Sequence, residues 1–367
     1  MKTWDAIIVG GGIIGVSLAR ELRKHGAEVL IVERTQPGRE ASHAAAGILS
    51  PFGSHLPQAL RPLALNSLKM FAEFVHEVED ESGIRVDLRD EGALLRAEEF
   101  DSDSMAQELS EADLRRLSPC LAYQPGFYLV DERSVDPRAL MSALLTAAKH
   151  RGIQVATGSP ASIVTHKDHR LSVKSERTEY LAPVVVNCCG AWSAEVGYEG
   201  DHAVPVRPVK GQVLSLAAPR RDLLKHTVRT SEVYLVPRSD GRILVGASVE
   251  EAGFDKRVQP DVIQRYHQLA ANLVPDLGEA RMLEAWAGLR PGTPDELPIL
   301  GRTPVSGYFV ATGHFRNGIL LAPVTAVLMA SIIRGLEPAF DIAPFSPQRF
   351  VQTPPDAIPG SPRRVAS

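Results

Sequence analysis

The chain has 367 residues, 44% of them hydrophobic and 23% charged, with a formal net charge of −4. That length predicts about two domains, and the mild acidity argues against a nucleic-acid partner or an anionic membrane surface. Three cysteines, Cys120, Cys188 and Cys189, are too sparse for a disulfide framework, so a reducing cytoplasmic compartment is expected.

The first residues run into an apolar strand without a signal-peptide pattern. Ala6-Ile7-Ile8-Val9 is a continuous apolar run, which predicts a strand buried on both faces of a parallel sheet. Gly10-Gly11-Gly12 breaks it. Ile14 to Lys24 then predicts a helix with Ile14, Leu18 and Leu22 on one face, closed by Gly26. Val29 to Val32 is a second strand, and Glu33 ends it.

This unit carries Gly10-x-Gly12-x-x-Gly15 between a strand and a helix. The first glycine permits the tight turn, the second lets a pyrophosphate approach the backbone, and the third allows close helix–strand packing. The helix start at Ile13 and Ile14 offers free N–H groups to phosphates. Glu33, about 20 residues on, is placed to accept both ribose hydroxyls. An acidic residue there disfavours a 2′-phosphate, and so NADP. FAD and NAD both remain open on this loop alone. Arg34 follows, and then Ala41-Ser42-His43-Ala44-Ala45-Ala46-Gly47-Ile48. Such small residues let a large ring system lie against backbone; a plain surface helix start is the alternative.

Leu88 to Arg96 and Gly126 to Asp131 read as strands, Pro137 to His150 as a helix and Gln154 to Ala156 as a strand. Another apolar strand, Val184 to Cys189, ends at Gly190-Ala191-Trp192. Val204 to Glu250 reads as antiparallel strands with turns at Pro219, Ser239-Asp240-Gly241 and Gly246. The α/β and β-rich stretches alternate, so the second domain is expected as an insertion. Residues 1–84, 135–203 and 286–351 are assigned to nucleotide binding, and 85–134 and 204–285 to substrate binding. Gly318 to Ile333 is apolar but short of the about 18–20 residues of a membrane span, and Pro323 interrupts it, so a buried helix is expected. The tail 352–367, rich in Pro and Ser, is expected to be disordered.

Gly10 to Gly15, Glu33-Arg34, Ser42-x-Ala44-Ala45-Ala46-Gly47 and Gly190-Ala191-Trp192-Ser193 together resemble the D-amino-acid oxidase family of FAD-dependent oxidoreductases. Trp286-Ala287-Gly288-Leu289-Arg290-Pro291-Gly292-Thr293 and Gly313-His314-Phe315-Arg316-Asn317-Gly318-Ile319-Leu320-Leu321-Ala322-Pro323 resemble the two signatures of the glycine oxidases, the branch serving bacterial thiazole (thiamine) biosynthesis. The resemblance runs from about residue 4 to 350. It implies an α/β fold, with a Rossmann-like FAD-binding domain and an inserted mixed or antiparallel β-sheet substrate domain. It also implies noncovalent FAD, since no cysteine lies near the C-terminal flavin segment, where sarcosine oxidase attaches its flavin.

The same resemblance implies roles for residues. Gly10, Gly12, Ile13, Ile14, Gly15, Glu33, Arg34, Ala41, Ser42, Ala46, Gly47, Ile48 and Ala161 would meet the cofactor. His314, Phe315, Arg316, Asn317, Gly318, Ile319 and Leu320 would put their backbone at the pyrimidine end of the flavin, where a helix N-terminus stabilises negative charge. Arg290 would anchor the substrate carboxylate through two parallel hydrogen bonds; an interdomain salt bridge is the alternative. Tyr234 would assist at that carboxylate, the alternative being a sheet tyrosine with a satisfied hydroxyl. Arg316 would lie next to substrate. No side chain is demanded as a base, with His314 the alternative, and no metal is expected, because His166-x-x-His169 lacks a third ligand.

The implied reaction is oxidative deamination of glycine and other small amines or D-amino acids, such as sarcosine and D-alanine. Hydride passes from Cα to flavin, and oxygen is the acceptor. The products are a 2-oxo acid, ammonia and peroxide. One rival is a dehydrogenase of D-amino or N-methyl-amino acids that uses a quinone. Another is a flavin-binding module without turnover, against which the intact Arg290 and Arg316 argue. The implied assembly is a homotetramer. Leu49 to Pro57 departs from the family pattern, and as a candidate wall of the substrate pocket it leaves the substrate's size open.

Overall fold

The structure is a computed structural model and describes residues 4–53, 56–99, 106, 108–122, 124–161, 163–167, 170–175, 178–198 and 204–350. His169 and the tail lie outside those residues.

Six strands form the first sheet, in the order Ile299–Arg302, Tyr308–Thr312, Val184–Asn187, Ala6–Val9, Val29–Val32, Gln154–Ala156. All neighbours run parallel except the antiparallel edge strand Ile299–Arg302. The central strands are apolar on both sides because both faces are covered. Ile8, Ile31 and Val186 face a core built with four helices, Ile13–Lys24, Arg61–Ser82, Pro137–His150 and Gly318–Ile333. Ile7, Val9, Leu30 and Val185 face Leu171, Val173 and Ala182 of a small four-stranded sheet.

The Gly318–Ile333 helix is apolar all round because it packs between the Ile13–Lys24 and Arg61–Ser82 helices. Pro323 removes one donor from its interior. Ser67 enters the broken ladder: its hydroxyl donates to the Leu320 carbonyl and accepts from the Val324 N–H. Among the described residues no helix is long and apolar enough to cross a membrane.

The second large sheet has seven strands, in the order Met282–Gly292, Arg207–Ala217, Arg242–Gly246, Tyr234–Pro237, Thr227–Arg229, Ala93–Arg96, Phe127–Val130. Its neighbours are antiparallel except Thr227–Arg229 with Ala93–Arg96, which is parallel. Alternation divides its faces. Leu94, Leu214, Val228, Leu235 and Val245 are buried on one side with Ile263, Tyr266 and Ala270 of the helix Pro260–Leu273. On the other side the register places Arg229 opposite Tyr234, Tyr234 opposite Gly246, Gly246 opposite Val213, and Val213 opposite Trp286. Directly opposed residues share a face. That face meets Ala46 and Ile48 of the small-residue loop.

Two expectations change. The single strand Leu88 to Arg96 is two, Leu88–Arg89 and Ala93–Arg96, because Gly92 turns the chain at φ +88. The first piece joins a three-stranded sheet with Ile48–Leu49 and Arg133–Val135. The domain boundary expected before residue 286 falls inside Met282–Gly292, which stays paired with Arg207–Ala217 as far as Gly292. The side-chain alternation of the seven-stranded sheet therefore continues through Arg290.

Candidate active site

The space between the two large sheets is one cavity of about 670 Å³. At one end lies the glycine turn. Gly10 has φ +109, and Gly15 packs so tightly that a Cβ there would overlap the Gly10 carbonyl. Ser42 Oγ accepts from the Ile13 N–H at 2.9 Å, which ties the small-residue loop to the helix start. The N–H groups of Gly12 and Ile14 bond no acceptor among the described residues, and both residues line the cavity. Glu33 is nearly buried there, and its carboxylate accepts from the Gly11 N–H at 2.8 Å. Arg34 lies 3.5 Å from the centre of the Trp192 ring.

A second helix start opens on the same cavity. Gly318 and Ile319 line it, and their N–H groups also bond no acceptor among the described residues. Two helix N-termini thus direct unsatisfied donors and positive partial charge into one space. This fits an elongated polyanionic dinucleotide whose distal ring gains negative charge on reduction. The small-residue loop between them is held from behind: Trp286 Nε1 donates to the Ala44 carbonyl at 3.1 Å, and Arg238 donates to the Ala46 carbonyl. Gly288 has no room for a Cβ against Ala44.

The second sheet supplies the far wall. Arg290 Nη1 donates to the Ser248 carbonyl at 2.9 Å and to the Lys210 carbonyl at 3.3 Å. No carboxylate pairs with it among the described residues, and burial lowers its pKa. A buried guanidinium without a counter-ion is costly. The Tyr234 hydroxyl lies over Gly246 and bonds no protein group among the described residues. Burial pushes its pKa up to about 12, with the charges of Arg290 and Arg316 acting the other way.

Most residues expected at the site from sequence line this cavity: Gly10, Gly12, Ile13, Ile14, Glu33, Arg34, Ala41, Ser42, Ala46, Gly47, Ile48, Ala161, Tyr234, Arg290 and His314 through Ile319. Two do not. Gly15 lies behind the turn, against Ile8 and Gly10, and Leu320 is buried in the helix packing beside Ser67. Arg316 sits two residues before the last helix, exposed at the cavity and 5.1 Å from the Phe315 ring. Sequence reasoning missed Gly211, whose missing Cβ makes space for the Arg290 guanidinium, and read Gly246 only as a turn. A glycine inside a strand pattern was the available signal. It also missed Arg229 and Glu99, which line the cavity and meet only through strand pairing.

His314 is 3% exposed, and its Nε2 lies 3.1 Å from Thr325 Oγ1 inside the last helix. Burial lowers its pKa from 6.5 to about 3. Between those values the unfolded chain binds a proton that the folded protein refuses, so stability falls as pH drops through this window. From about pH 7.5 to about pH 5 the loss from this one group is about 2 kcal/mol. His314→Gln should therefore flatten the pH dependence of denaturant unfolding by that amount. An unchanged slope would show that the imidazole protonates in the folded protein.

The sequence model of the family described as FAD dependent oxidoreductase matches residues 5–332. The chain is 33% identical over 369 residues to the glycine oxidase of Geobacillus kaustophilus, covering 95% of this chain and 97% of that one. The crystal structure of glycine oxidase from Geobacillus kaustophilus superposes with a TM-score of 0.90, covering 95% of this chain and 99% of that one. The bifunctional protein ThiO/ThiG of Synechocystis is 34% identical over 364 residues, and there the chain spans only 55% of the longer protein. With a cavity built for a dinucleotide between its two sheets, the chain belongs to the FAD-dependent oxidoreductase family of the D-amino-acid oxidase type.

Proposed function

We propose that the protein oxidises glycine and other small amines, such as sarcosine and D-alanine, to a 2-oxo acid, hydrogen peroxide and the released amine, which is ammonia from glycine and D-alanine and methylamine from sarcosine. The observation that carries this reading is Arg290, a cavity-lining guanidinium with no carboxylate partner among the described residues, on the same sheet face as Tyr234. A substrate carboxylate completes that pair, and the unbonded Tyr234 hydroxyl is free to donate to it. Arg316 adds positive charge on the cavity side. Bound FAD supplies the two-electron acceptor for hydride from Cα. The chain's own work is then positioning, by fixing the carboxylate so that Cα lies at the flavin. His314, neutral and turned into its helix, is not used as a base. Water hydrolyses the imine product, and the balance is glycine plus oxygen plus water to glyoxylate, ammonia and peroxide. We read the enzyme as a cytoplasmic homo-oligomer serving thiazole (thiamine) formation, as the family resemblance implies.

Turnover with glycine should consume oxygen and release peroxide, glyoxylate and ammonia in equal amounts. An oxygen electrode with peroxide and ammonia assays measures this. Flavin that glycine reduces but that only a quinone or dye reoxidises would make the protein a dehydrogenase. Flavin that no amine reduces would leave a binding module.

A further inference from the structure

The seat of Arg290 is built by an irregularity in the second sheet. Val213 stands opposite Gly246, and the next pairing of the same two chain segments sets Lys210 opposite Glu250. From 210 to 213 is three steps and from 246 to 250 is four, so the second segment carries one extra residue. Such a bulge takes backbone groups out of the ladder and re-aims what they hold. Here the Ser248 carbonyl accepts from Arg290 Nη1 at 2.9 Å, and Ser248 Oγ accepts the Gln212 N–H at 2.9 Å in its stead. The Lys210 carbonyl accepts both the Glu250 N–H at 3.0 Å and Arg290 Nη1 at 3.3 Å. Both hydrogens of Nη1 are therefore committed to the bulge. Nε and Nη2 bond no acceptor among the described residues and remain for a ligand.

A polar cluster braces the bulge from outside the cavity. Ser248 Oγ donates to Glu250 Oε1, and Gln212 Nε2 donates to the same oxygen at 2.8 Å. The Gln212 amide also meets Gln259, the residue before the helix Pro260–Leu273. Its Nε2 donates to Gln259 Oε1 at 2.8 Å, and its Oε1 accepts the Gln259 N–H at 2.7 Å. Lys210 Nζ lies 3.5 Å from Glu250 Oε2 and donates to the Arg257 carbonyl at 2.7 Å. Lys210 and Gln212 are buried. Burial acts to raise the Glu250 pKa, but the hydrogen bonds from Ser248 and Gln212 and the charge of Lys210 outweigh it and hold the carboxyl below its usual range. Ala247 and Val249 line the cavity, whereas Gln212, Ser248 and Glu250 do not.

We propose that Gln212, Ser248 and Glu250 are positioning residues for the reaction, which act on the substrate only through Arg290. This rests on the assignment of Arg290 as the carboxylate anchor. A guanidinium ends a flexible side chain, and two bonds to one of its nitrogens fix the direction of the other N–H groups. The Ser248 hydroxyl keeps those two bonds available. Without it the buried Gln212 N–H lacks an acceptor, and an unpaired buried donor is costly. The nearest remedy is for the Ser248 carbonyl to turn back into the ladder, which takes it from Arg290.

The test uses the holoenzyme and two readouts. One is acetate affinity, from the change in the bound flavin's absorbance, and the other is the slope of anaerobic flavin reduction against glycine concentration. Ser248→Ala should lower both by about 10-fold or more, with FAD content as in the wild type. Ser248→Thr, which keeps the hydroxyl, should recover most of the loss. Glu250→Ala should act in the same direction as Ser248→Ala. The decisive arm adds Ser248→Ala to Arg290→Ala, where it should change neither readout further, because the residue it positions is gone. A general structural role would cost the Arg290→Ala protein as much as the wild type, and that additive result overturns the proposal. Wild-type values in both Ser248→Ala and Glu250→Ala overturn it as well, while leaving Arg290 as the anchor. Acetate affinity that survives Arg290→Ala sinks the anchor and this proposal together. Flavin that no amine reduces sinks the proposed reaction alone, and the acetate arm still decides the role of the bulge.

Discussion

Arg290→Ala should weaken the binding of small carboxylates, measured by flavin absorbance, by about 2–5 kcal/mol, the cost of truncating one side of a buried hydrogen-bonded charge pair. Arg290→Lys should recover only part of it, because a point charge cannot form the paired bonds. The same substitutions should leave FAD content and melting temperature without ligand unchanged or higher. Among the described residues the guanidinium bonds two carbonyls and no carboxylate, so it is a burden on the fold until substrate arrives. A fall in stability that parallels the fall in affinity would mean that Arg290 is a structural residue, and acetate affinity surviving Arg290→Ala would remove it from the site.

Gly211→Ala should be nearly as damaging to turnover without touching the substrate's carboxylate or the flavin loop. A Cβ at position 211 would lie 2.5 Å from Arg290 Cζ and overlap both terminal nitrogens. Those atoms end a flexible side chain, so the fold can survive by moving the guanidinium. A displacement of about 1 Å at a positioning group costs about 100-fold in rate. The expected result is a folded, yellow protein with kcat/KM for glycine down by about that factor. Wild-type kcat/KM in this variant would show that Arg290 works equally well from another seat.

The dinucleotide half of the site was legible in the sequence because its logic is local. One strand, one glycine turn, one helix start and Glu33 act within the first strand–helix–strand unit, where the Gly11 N–H reaches Glu33 over a separation of 22 residues. The even apolarity of Gly318 to Ile333 likewise announced a largely buried helix, and Pro323 argued against a membrane span. Arg290 and Tyr234 were singled out through the family resemblance and not through any local pattern, and both line the cavity.

What only the tertiary structure decided is the far wall. Arg229 meets Glu132 across 97 residues and Glu99 across 130. No spacing rule links them, because strand pairing brings them together and the period-two alternation of the sheet decides which face each one takes. A slip of one residue in the Thr227–Arg229 strand would turn Arg229 towards the helix Pro260–Leu273 and put Val228 in the cavity. The same register makes Gly211 the space for Arg290 and Gly246 the seat of the Tyr234 hydroxyl. The sequence by itself determined a dinucleotide-type turn between a buried strand and a helix, and its family resemblance pointed to a flavin. Sheet register, a long-range property, decided which charges line the far wall of the cavity.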